Sequence, residues 1–382
     1  MRGAERVVTI SSILFGVSAT CWAVFLYPYL IYPLVLRLLP ARPVRSRPVD
    51  LSVSLLFCAY NEIESLPRKI ENLRALKRGT PDLQILVYDD SSSDGTADLL
   101  ARNSDLLTIV HGAGRTGKAA GMKQLVAQAT GDVLVFTDAN VVLDETMIDH
   151  LLPYYGDPDV GGVCGTIRMA TDRHSVTSQI GSTYSAIDDR LQQLESGTGN
   201  VMGASGGLFS VRRALYPSFP DTVQDDFTVS MSVIFQGKRL VKAADVVAFE
   251  NSVSRRDEEF RRKVRIGARA YHTHLFMVPQ LRQMSGLDRM KYASRKMLRW
   301  VGGLFLAAGA MVSLAAVATL STLAAAVLAV VALVAILSAM GSRTGYLATA
   351  GELVLATFAT LLGVVQGARG RTMATWAPAK SR

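Results

Sequence analysis

The stretch that decides the fold reads Gln84-Ile85-Leu86-Val87-Tyr88-Asp89-Asp90-Ser91-Ser92-Ser93-Asp94-Gly95-Thr96. Its first five residues include β-branched and aromatic side chains and predict a strand, and the polar residues that follow predict a turn. Asp94 or Thr96 would then cap a helix that runs to Arg102. Such strand and helix patterns alternate between Pro48 and about Leu281, which predicts βαβ units in an α/β domain with a largely parallel sheet.

Two more predicted strands end in polar side chains. Leu51 to Phe57 precedes Tyr60-Asn61, and the apolar run Val135-Phe136-Thr137 ends in Asp138-Ala139-Asn140. Ligands of such sheets bind beyond the carboxyl ends of the strands, so these residues and Asp89-Asp90 are expected at one edge. Alternate strand residues share a face, so the side chains of Asp138 and Asn140 would present hard oxygen ligands suited to Mg²⁺ or Mn²⁺. Each polar pair taken alone is equally consistent with a turn or a helix cap.

The predicted helices near this edge also begin with polar residues. The first is expected to begin at Asn61, where Glu62 and Glu64 would complement the helix dipole. A later helix begins at Gly117-Lys118, which is consistent with a phosphate contact and with a solvated face. Its spacing differs from that of a P-loop, which disfavours mononucleotide hydrolysis of that type. A third acidic pair, Asp225-Asp226, lies downstream, and together the three pairs favour nucleotide-sugar chemistry.

Both ends of the chain are apolar enough to lie in lipid. Between Val7 and Leu39 only Arg37 is charged, and Val301 to Met340 contains no charged residue. About 20 residues cross a bilayer, so the second stretch predicts two spans, and Tyr346 to Val365 predicts a third span or an interfacial helix. The N-terminal run is too long for a cleaved signal peptide. Arginines at positions 42, 45 and 47 follow it, which predicts a cytoplasmic middle domain in a multi-pass protein of the inner (cytoplasmic) membrane.

These patterns divide the chain into five parts. One leading span and three trailing spans would place the basic C-terminal tail outside, against the positive-inside rule. Either Tyr346 to Val365 is interfacial or re-entrant, or the preceding apolar block does not form a full hairpin, and the interfacial interpretation is favoured. The predicted parts are an N-terminal transmembrane helix (1–40), a cytoplasmic domain (48–281), an interfacial linker (282–300), the C-terminal membrane helices (301–366) and a basic tail (367–382).

The composition argues against several classes of protein. The net charge is +9, yet the basic residues gather at membrane flanks and between Arg255 and Arg269 without interleaved aromatic residues. Membrane lipid is therefore an expected partner and nucleic acid is not. Cys21, Cys58 and Cys164 are too few and too far apart for a disulfide framework or a cysteine metal cluster. The apolar spans contain no paired intramembrane charges besides Glu352 near one end, which disfavours a transporter.

Seven segments together form a recognisable set of motifs. They are Phe57-Cys58-Ala59-Tyr60-Asn61-Glu62, Val87 to Thr96, Gly117-Lys118 with Gly121, Asp138-Ala139-Asn140, Gly203-Ala204-Ser205-Gly206-Gly207-Leu208-Phe209, Val223-Gln224-Asp225-Asp226 and Arg262-Lys263-Val264-Arg265-Ile266. This set resembles the family 2 glycosyltransferases, especially the membrane-bound processive type of cellulose, hyaluronan and poly-N-acetylglucosamine synthases. The resemblance covers most of the chain, and its most specific match is the ten-residue turn. It implies a GT-A-like Rossmann-type domain with a mostly parallel sheet, flanked by transmembrane α-helices.

The resemblance also implies a role for each matched residue. Asp226 is the expected general base, and Asp89, with Asp90 nearby, is expected to hold the nucleobase. Two positions depart from the family pattern, because Asn140 replaces an aspartate and Ile266 replaces a tryptophan. The implied sites comprise nucleotide or donor contacts at Ala59, Tyr60, Glu62, Asp89, Asp90, Lys118, Asp138 and Arg265, acceptor contacts at Gly206, Gly207, Asp225 and Arg262, and a metal site for Mg²⁺ or Mn²⁺ at Asp138 and Asn140.

The expected activity is an inverting transfer from a nucleotide sugar, UDP-linked by resemblance, to a growing polysaccharide or glycan acceptor. Transfer of a single sugar to a lipid acceptor remains an alternative. A noncatalytic membrane scaffold is a further alternative, suggested by the departures at Asn140 and Ile266. The basic segment that contains Arg262 and Arg265 is also consistent with simple contact to anionic lipid. A separate export partner for the product stays open.

Overall fold

The structure is a computed structural model that describes residues 2–170, 176–251, 256–341 and 345–372. Arg255 and the end of the predicted basic tail, residues 373–382, lie outside the described residues. The strands are β1 (Val53–Ala59), β2 (Gln84–Asp89), β3 (Thr108–His111), β4 (Val133–Thr137), β5 (Val141–Leu143), β6 (Val160–Ala170), β7 (Leu208–Arg212) and β8 (Arg239–Asn251). The helices are α1 (Arg2–Leu26), α2 (Ile31–Leu38), α3 (Leu66–Gly79), α4 (Thr96–Ala101), α5 (Lys118–Gln128), α6 (Met147–Leu151), α7 (Val176–Gly197), α8 (Asp225–Phe235), α9 (Arg256–Leu281), α10 (Gly286–Tyr292), α11 (Leu298–Leu320), α12 (Thr322–Gly341) and α13 (Gly345–Ala368).

Within the described residues the strands form one mixed sheet in the order β3-β2-β1-β4-β7-β6-β8-β5. The half that contains β3, β2, β1 and β4 is parallel, as the alternation of strands and helices predicts. β7 then runs antiparallel between β4 and β6, and β5 pairs antiparallel with β8. The predicted α/β class with a mostly parallel sheet is confirmed.

Apolar cores cover both faces of the sheet. Along β1, Leu55 and Phe57 point into one core, which α3 closes, whereas Leu56 points into the other, which α5 and α8 close. This division follows from the two-residue period of a strand, and it explains why β1 reads as a continuous apolar run. β1 begins and ends two residues later than Leu51 and Phe57, the predicted bounds.

The first helix of the domain begins later than expected. Asn61 adopts a left-handed backbone with φ of 51°, and the N–H of Ser65 donates to the carbonyl of Glu62 in a turn. α3 therefore starts at Leu66, and its first turn contains no acidic residue. The prediction that Glu62 and Glu64 lie in that first turn is wrong, because the turn places them before the helix. The start of α4 agrees better, since Asp94 Oδ1 accepts the N–H of Thr96 at 3.0 Å.

The apolar ends of the chain form long helices. Three described stretches are long and apolar enough to cross a membrane, namely Thr9–Leu26, Gly286–Leu320 and Gly351–Ala368, and Thr322–Ala335 is a shorter apolar helix. The segment expected to lie at the interface, Tyr346 to Val365, thus belongs to a continuous 24-residue helix. The predicted linker at residues 282–300 contains α10 and a π-helical segment, Ala293–Met297, whose Arg295 is buried.

α9 and α13 pack closely enough to touch backbone to backbone. A Cβ atom added at Gly267 of α9 would lie 2.6 Å from the carbonyl oxygen of Thr360, and one at Gly363 of α13 would collide with the carbonyl of Val264. Gly363 and Gly367 form the small-xxx-small pattern that permits such approach between helices. This contact ties the third apolar stretch to the helix that contains Arg262 and Arg265.

Candidate functional site

One cavity of about 420 Å³ collects the predicted site residues at the carboxyl edge of β1 and β4. Thirteen of the fourteen predicted residues line it, and Asp89 is the exception. They are Ala59, Tyr60, Glu62, Asp90, Lys118, Asp138, Asn140, Gly206, Gly207, Asp225, Asp226, Arg262 and Arg265. Residues from the turns after the strands form one wall, which we call the sheet wall. Residues from α7, α9, the π-helical segment and α11 form the opposite wall, which we call the helical wall.

The sheet register brings distant motifs to the same place. β4 pairs with β7 so that Thr137 lies opposite Leu208, which puts Gly206-Gly207 beside Asp138. β5 pairs with β8 so that Val141 lies opposite Glu250, which puts this carboxylate near Asn140. A Cβ at Gly206 would lie only 2.9 Å from Asp226 Oδ2, so glycine keeps open the space in front of that carboxylate.

The two carboxylates of the predicted nucleobase site have different surroundings. Asp90 lines the cavity and accepts the backbone N–H groups of Thr116 at 2.7 Å and Gly117 at 3.1 Å. Asp89 instead accepts the N–H of Ser92, and its Oδ2 lies 3.7 Å from Nδ1 of His111. The structure therefore places Asp90, and not Asp89, at the cavity, because successive residues at the end of β2 point to opposite sides.

An ion pair lies at the centre of the sheet wall. Lys118 Nζ donates to Asp138 Oδ1 at 2.5 Å and lies 4.0 Å from Asp225 Oδ2. Burial lowers the pKa of Lys118, but the carboxylates of Asp138, Asp225 and Asp226 outweigh it and raise the pKa above its ordinary value. Lys118 thus remains a cation next to the Asp138 carboxylate, which faces the cavity. The alternative of a solvated face does not apply, since the side chain of Lys118 is only 12% exposed.

Asp226 has the protonation behaviour expected of a base. Burial first, and then the neighbouring Asp225 carboxylate, raise the pKa of Asp226 above its ordinary value. Its Oδ1 accepts the N–H of Phe227 at 2.7 Å. A carboxylate with a raised pKa accepts a proton more readily near neutral pH than an ordinary aspartate does.

The oxygen ligands at the end of β4 fit a hard divalent cation. Asp138 is 36% exposed to the cavity, and Asn140 Nδ2 donates to Glu250 Oε1 at 3.4 Å, which leaves the amide oxygen of Asn140 for a ligand. Within the described residues, no group of three or more His, Cys, Asp or Glu side chains could hold a metal ion. Asp138 and Asn140 would suit a cation that takes one or two protein oxygen ligands and completes its shell with substrate phosphates, as Mg²⁺ does.

α9 presents three arginines to the cavity. Arg262 pairs with Glu259 at 3.3 Å, and Arg269 donates to the carbonyl of Val223 at 2.6 Å. Burial, together with the charges of Arg269 and Arg262, lowers the pKa of Arg265 to about 10. Such crowding of buried cations favours a polyanionic ligand at this position. Ile266 lines the same cavity at the position where the family pattern has tryptophan.

Several lining residues escape prediction from the sequence. Arg115 lies over the ring of Tyr60, with its guanidinium carbon 3.4 Å from the ring centroid. Its position two residues before the Gly117-Lys118 motif could have indicated a role in the site. Gln224 lies in a motif quoted above, and Glu250 is positioned by the pairing of β5 with β8. The residues of α7, the π-helical segment and α11 belong to no such motif, because they become neighbours only through helix packing. The lining residues without a predicted role include Arg115, Asp188, Gln192, Gln224, Glu250, Arg269, Arg295, Lys296 and Trp300.

Comparison with known proteins agrees with this geometry. Residues 54–218 match the model of the Glycosyl transferase family 2. The chain is 28% identical over 202 residues to a poly-beta-1,6-N-acetyl-D-glucosamine synthase of Staphylococcus aureus, covering 49% of this chain and 47% of that protein. It is 26% identical over 195 residues to a beta-monoglucosyldiacylglycerol synthase of Synechocystis sp., covering 47% of this chain and 41% of that protein. The chain thus spans about half the length of the curated relatives it matches.

A solved structure shares the fold over nearly the whole chain. The mannosyltransferase PcManGT from Pyrobaculum calidifontis, in complex with GDP-Man and Mn²⁺, superposes with a TM-score of 0.74 and 22% sequence identity. The match covers 93% of this chain and 98% of that one, so the shared fold extends well beyond residues 54–218. Residues 54–218 therefore match the glycosyl transferase family 2 model, and the chain has a GT-A-like fold packed against helices apolar enough to span a membrane.

Proposed function

We propose that this protein is an inverting glycosyltransferase that moves a sugar from a nucleotide-sugar donor to an acceptor hydroxyl at the cytoplasmic membrane. The observation that supports this most is a single cavity in which the carboxylate of Asp226, with its raised pKa, faces the Lys118 and Asp138 pair and the arginines of α9. A proton acceptor and a polyanion site within one cavity are the two parts that glycosyl transfer needs.

The donor would lie with its diphosphate between the two walls. Lys118 and Arg265 hold positive charge where the diphosphate leaves, and Asp90 and Tyr60 border the nucleoside end. A divalent cation held by Asp138 and Asn140 would neutralise charge on the diphosphate. We propose a UDP-linked donor from the motif resemblance.

The transfer step needs one proton movement and one bond exchange. The acceptor hydroxyl gives its proton to the Asp226 carboxylate while its oxygen forms a bond to the anomeric carbon. The bond between that carbon and the diphosphate oxygen breaks, and the nucleoside diphosphate leaves with the bonding electron pair. Lys118 and Arg265 stabilise the departing charge. A single attack from the face opposite the leaving group inverts the anomeric centre.

The acceptor is a growing glycan or a lipid. Similarity to a poly-beta-1,6-N-acetyl-D-glucosamine synthase supports the first, and similarity to a beta-monoglucosyldiacylglycerol synthase supports the second. The cavity also borders Trp300 at the start of α11, an apolar helix of membrane-spanning length, which favours an acceptor that arrives from the membrane. We place the catalytic domain on the cytoplasmic side, because Arg42, Arg45 and Arg47 follow the first span.

The test is to purify the full chain in detergent and to screen UDP- and GDP-linked sugars with Mg²⁺ or Mn²⁺. Release of the nucleoside diphosphate and the size and anomeric configuration of the product are measured. We expect metal-dependent release and a product of inverted configuration. A ladder of products indicates polymerisation, and a single addition indicates transfer to a lipid. Absence of nucleotide release with every donor would favour the noncatalytic scaffold.

A further inference from the structure

The helical wall contains a network of buried ion pairs next to a lysine that takes no part in it. Arg295 donates to Glu195 Oε2 and to Asp188 Oδ2, both at 2.7 Å, and Arg299 donates to Asp188 Oδ1 at 3.0 Å. Tyr32 donates to the other oxygen of Glu195 at 2.6 Å. Both carboxylates therefore have all their oxygens engaged by groups other than the adjacent lysine.

That lysine is Lys296, which lines the cavity. In the described part of the chain it shows neither a hydrogen bond nor an ion pair, and its Nζ lies 4.6 Å from the ring centroid of Phe227. Phe227 follows the proposed base Asp226 directly. A cation at a partly buried position is costly unless it is paired, so this arrangement is suited to an anion that is supplied by a ligand.

The charges that act most on Lys296 differ from those that act on Lys118. The charges that act most on Lys296 are those of Arg295, Asp188, Glu195 and Arg299, all on the helical wall. The charges that act on Lys118 are those of Asp138, Asp225 and Asp226 on the opposite side of the cavity. A diphosphate held at Lys118 and Arg265 would thus leave Lys296 with its positive charge unmatched.

The surroundings of Lys296 indicate how its ligand arrives. Lys296 belongs to the π-helical segment that leads directly into α11, and Trp300 lines the cavity one turn further on. Trp300 packs edge-on against His274 and Tyr292, with ring centroids 5.6 Å and 6.3 Å away. π-helical segments within α-helices often occur at functional sites, and this one brings a cation and an aromatic ring to the membrane end of the cavity.

We propose that Lys296 and Trp300 form an acceptor subsite that binds the phosphate-bearing head group of an anionic membrane lipid, with Lys296 on the phosphate and Trp300 along the apolar stem. This inference rests on the proposed function, because it assigns the acceptor of that same cavity. The subsite would present a lipid-borne hydroxyl to Asp226, because Lys296 lies over the ring of Phe227, the residue that follows Asp226.

The test uses the full chain in detergent and a fluorescent reporter already in the site. The chain contains three tryptophans, so replacing Trp22 and Trp376 by phenylalanine leaves Trp300 alone. Three probes are titrated while the emission of Trp300 is recorded: short-chain phosphatidylglycerol, short-chain diacylglycerol and inorganic phosphate. We expect phosphatidylglycerol to bind about tenfold more tightly than diacylglycerol, as charge-assisted hydrogen bonds require. Inorganic phosphate should not reproduce the change.

Variants then locate the effect. Lys296→Gln should reduce phosphatidylglycerol binding to the diacylglycerol level, and Lys296→Arg should retain it. Lys238→Gln is the matched control, because Lys238 is a surface lysine that donates to the carbonyl of Pro158. Equal affinity of the two lipids for the protein that retains Lys296 overturns the proposal, whatever the variants show. If inorganic phosphate binds as tightly as phosphatidylglycerol, Lys296 belongs to a site for free phosphate, and the proposal is overturned. If phosphatidylglycerol displaces the nucleoside diphosphate, Lys296 belongs to the donor site, and the proposal is overturned as well.

Nucleotide release is measured separately on the same preparations. Metal-dependent release together with equal binding of the two lipids removes only the subsite. If lipid binding depends on the phosphate but no nucleotide sugar releases its nucleoside diphosphate, the proposed function is wrong and the cavity only binds lipid. The two failures are therefore distinguishable.

Discussion

The sheet wall and the helical wall of the cavity are built in different ways. Lys118 and Asp138 of the sheet wall are 20 residues apart, and the parallel register of neighbouring strands brings them together. Asp188 and Arg295 of the helical wall are 107 residues apart, and they meet because α7 packs against the segment before α11. The sheet wall therefore depends on strand pairing within the central domain, whereas the helical wall depends on the packing of helices that include an apolar helix of membrane-spanning length.

The largest expected effect comes from the residue where the two walls meet. Asp226→Asn should reduce transfer by about 10² to 10⁴-fold, because it removes the proton acceptor while it keeps the shape of the side chain. Donor affinity should stay within error of the wild-type value. The wild-type rate should also fall as the pH decreases through the raised pKa of Asp226, since the protonated acid cannot accept a proton.

Steady-state transfer rates and equilibrium donor binding measure these effects. Asp221→Asn is a suitable control, because Asp221 is an exposed carboxylate paired with Lys123. Wild-type turnover by Asp226→Asn at any pH would remove this residue from the mechanism.

The second prediction tests whether the helical wall depends on the membrane-type helices. Gly363→Leu should force α13 away from α9 and displace Arg262 and Arg265, because a side chain at Gly363 would collide with the backbone of α9. Displacement of catalytic groups by about 1 Å can cost on the order of 10²-fold in rate. Gly16→Leu in α1 is the matched control, because a Cβ at Gly16 meets no atom within 4 Å.

The rate of transfer and the affinity for donor are measured for both glycine variants in detergent. Equal activity of Gly363→Leu and Gly16→Leu would show that α13 does not position the arginines.

The third prediction concerns the metal ligand on the sheet wall. Asp138→Ala should remove the dependence of donor affinity on Mg²⁺ or Mn²⁺, which we expect to amount to about tenfold or more. Chelation by EDTA should lower donor affinity in the wild type and leave Asp138→Ala unchanged. Calorimetric titration of nucleoside diphosphate with and without metal measures both. An undiminished metal effect in Asp138→Ala would contradict the assignment.

The smallest expected effect on transfer comes from replacing Lys69, which packs behind the sheet wall. Lys69 is buried, and its Nζ donates to the carbonyl of Val141 at 2.6 Å and to Thr137 Oγ1 at 3.3 Å. Lys69→Met would leave that carbonyl unsatisfied, which should cost about 1–3 kcal/mol of stability. Activity per folded molecule should change little, because Lys69 lies behind the loop of Asp138 and does not line the cavity.

The pH dependence of stability provides the check on Lys69. Burial lowers its pKa to about 7 in the folded protein, below the ordinary value of 10.5. Between these values the unfolded chain binds more protons than the folded one, so the contribution of Lys69 to stability rises with pH over that window. Melting temperatures in detergent between pH 7 and 10 should therefore rise less in Lys69→Met. An identical pH profile in both proteins would contradict the shift.

Much of the sheet wall was predictable because each of its motifs is local. A strand followed by a polar turn can be recognised within about ten residues, and parallel strands place such turns at one edge. This is why Asp90, Lys118, Asp138 and Asn140 all reach the cavity. The failure at Asp89 has a local cause as well, since adjacent residues at a strand end point in opposite directions and the motif does not say which one faces the ligand.

The helical wall was only partly predictable. Arg262 and Arg265 were found through a motif, but Asp188, Arg295, Lys296 and Trp300 belong to no local pattern in the sequence. Their positions depend on how α7, α9 and α11 pack, and a helix propensity contains no information about the partner of a helix. The same reason explains why the packing of Tyr346 to Val365 along α9 and α11 was not predicted, and its interfacial placement stays a prediction.

By itself the sequence determined the α/β class, the apolar ends, the family that the central domain resembles and the acidic and basic residues of the sheet wall. Periodicity and short motifs suffice for these features, because they arise from interactions among residues close in the chain. Only the tertiary structure decided that Asp90 faces the cavity, that α13 packs closely against α9, and that Lys296 has no ion pair among the described residues. These features depend on contacts between segments that are distant in sequence, and the energy of such contacts is set by packing and charge in three dimensions.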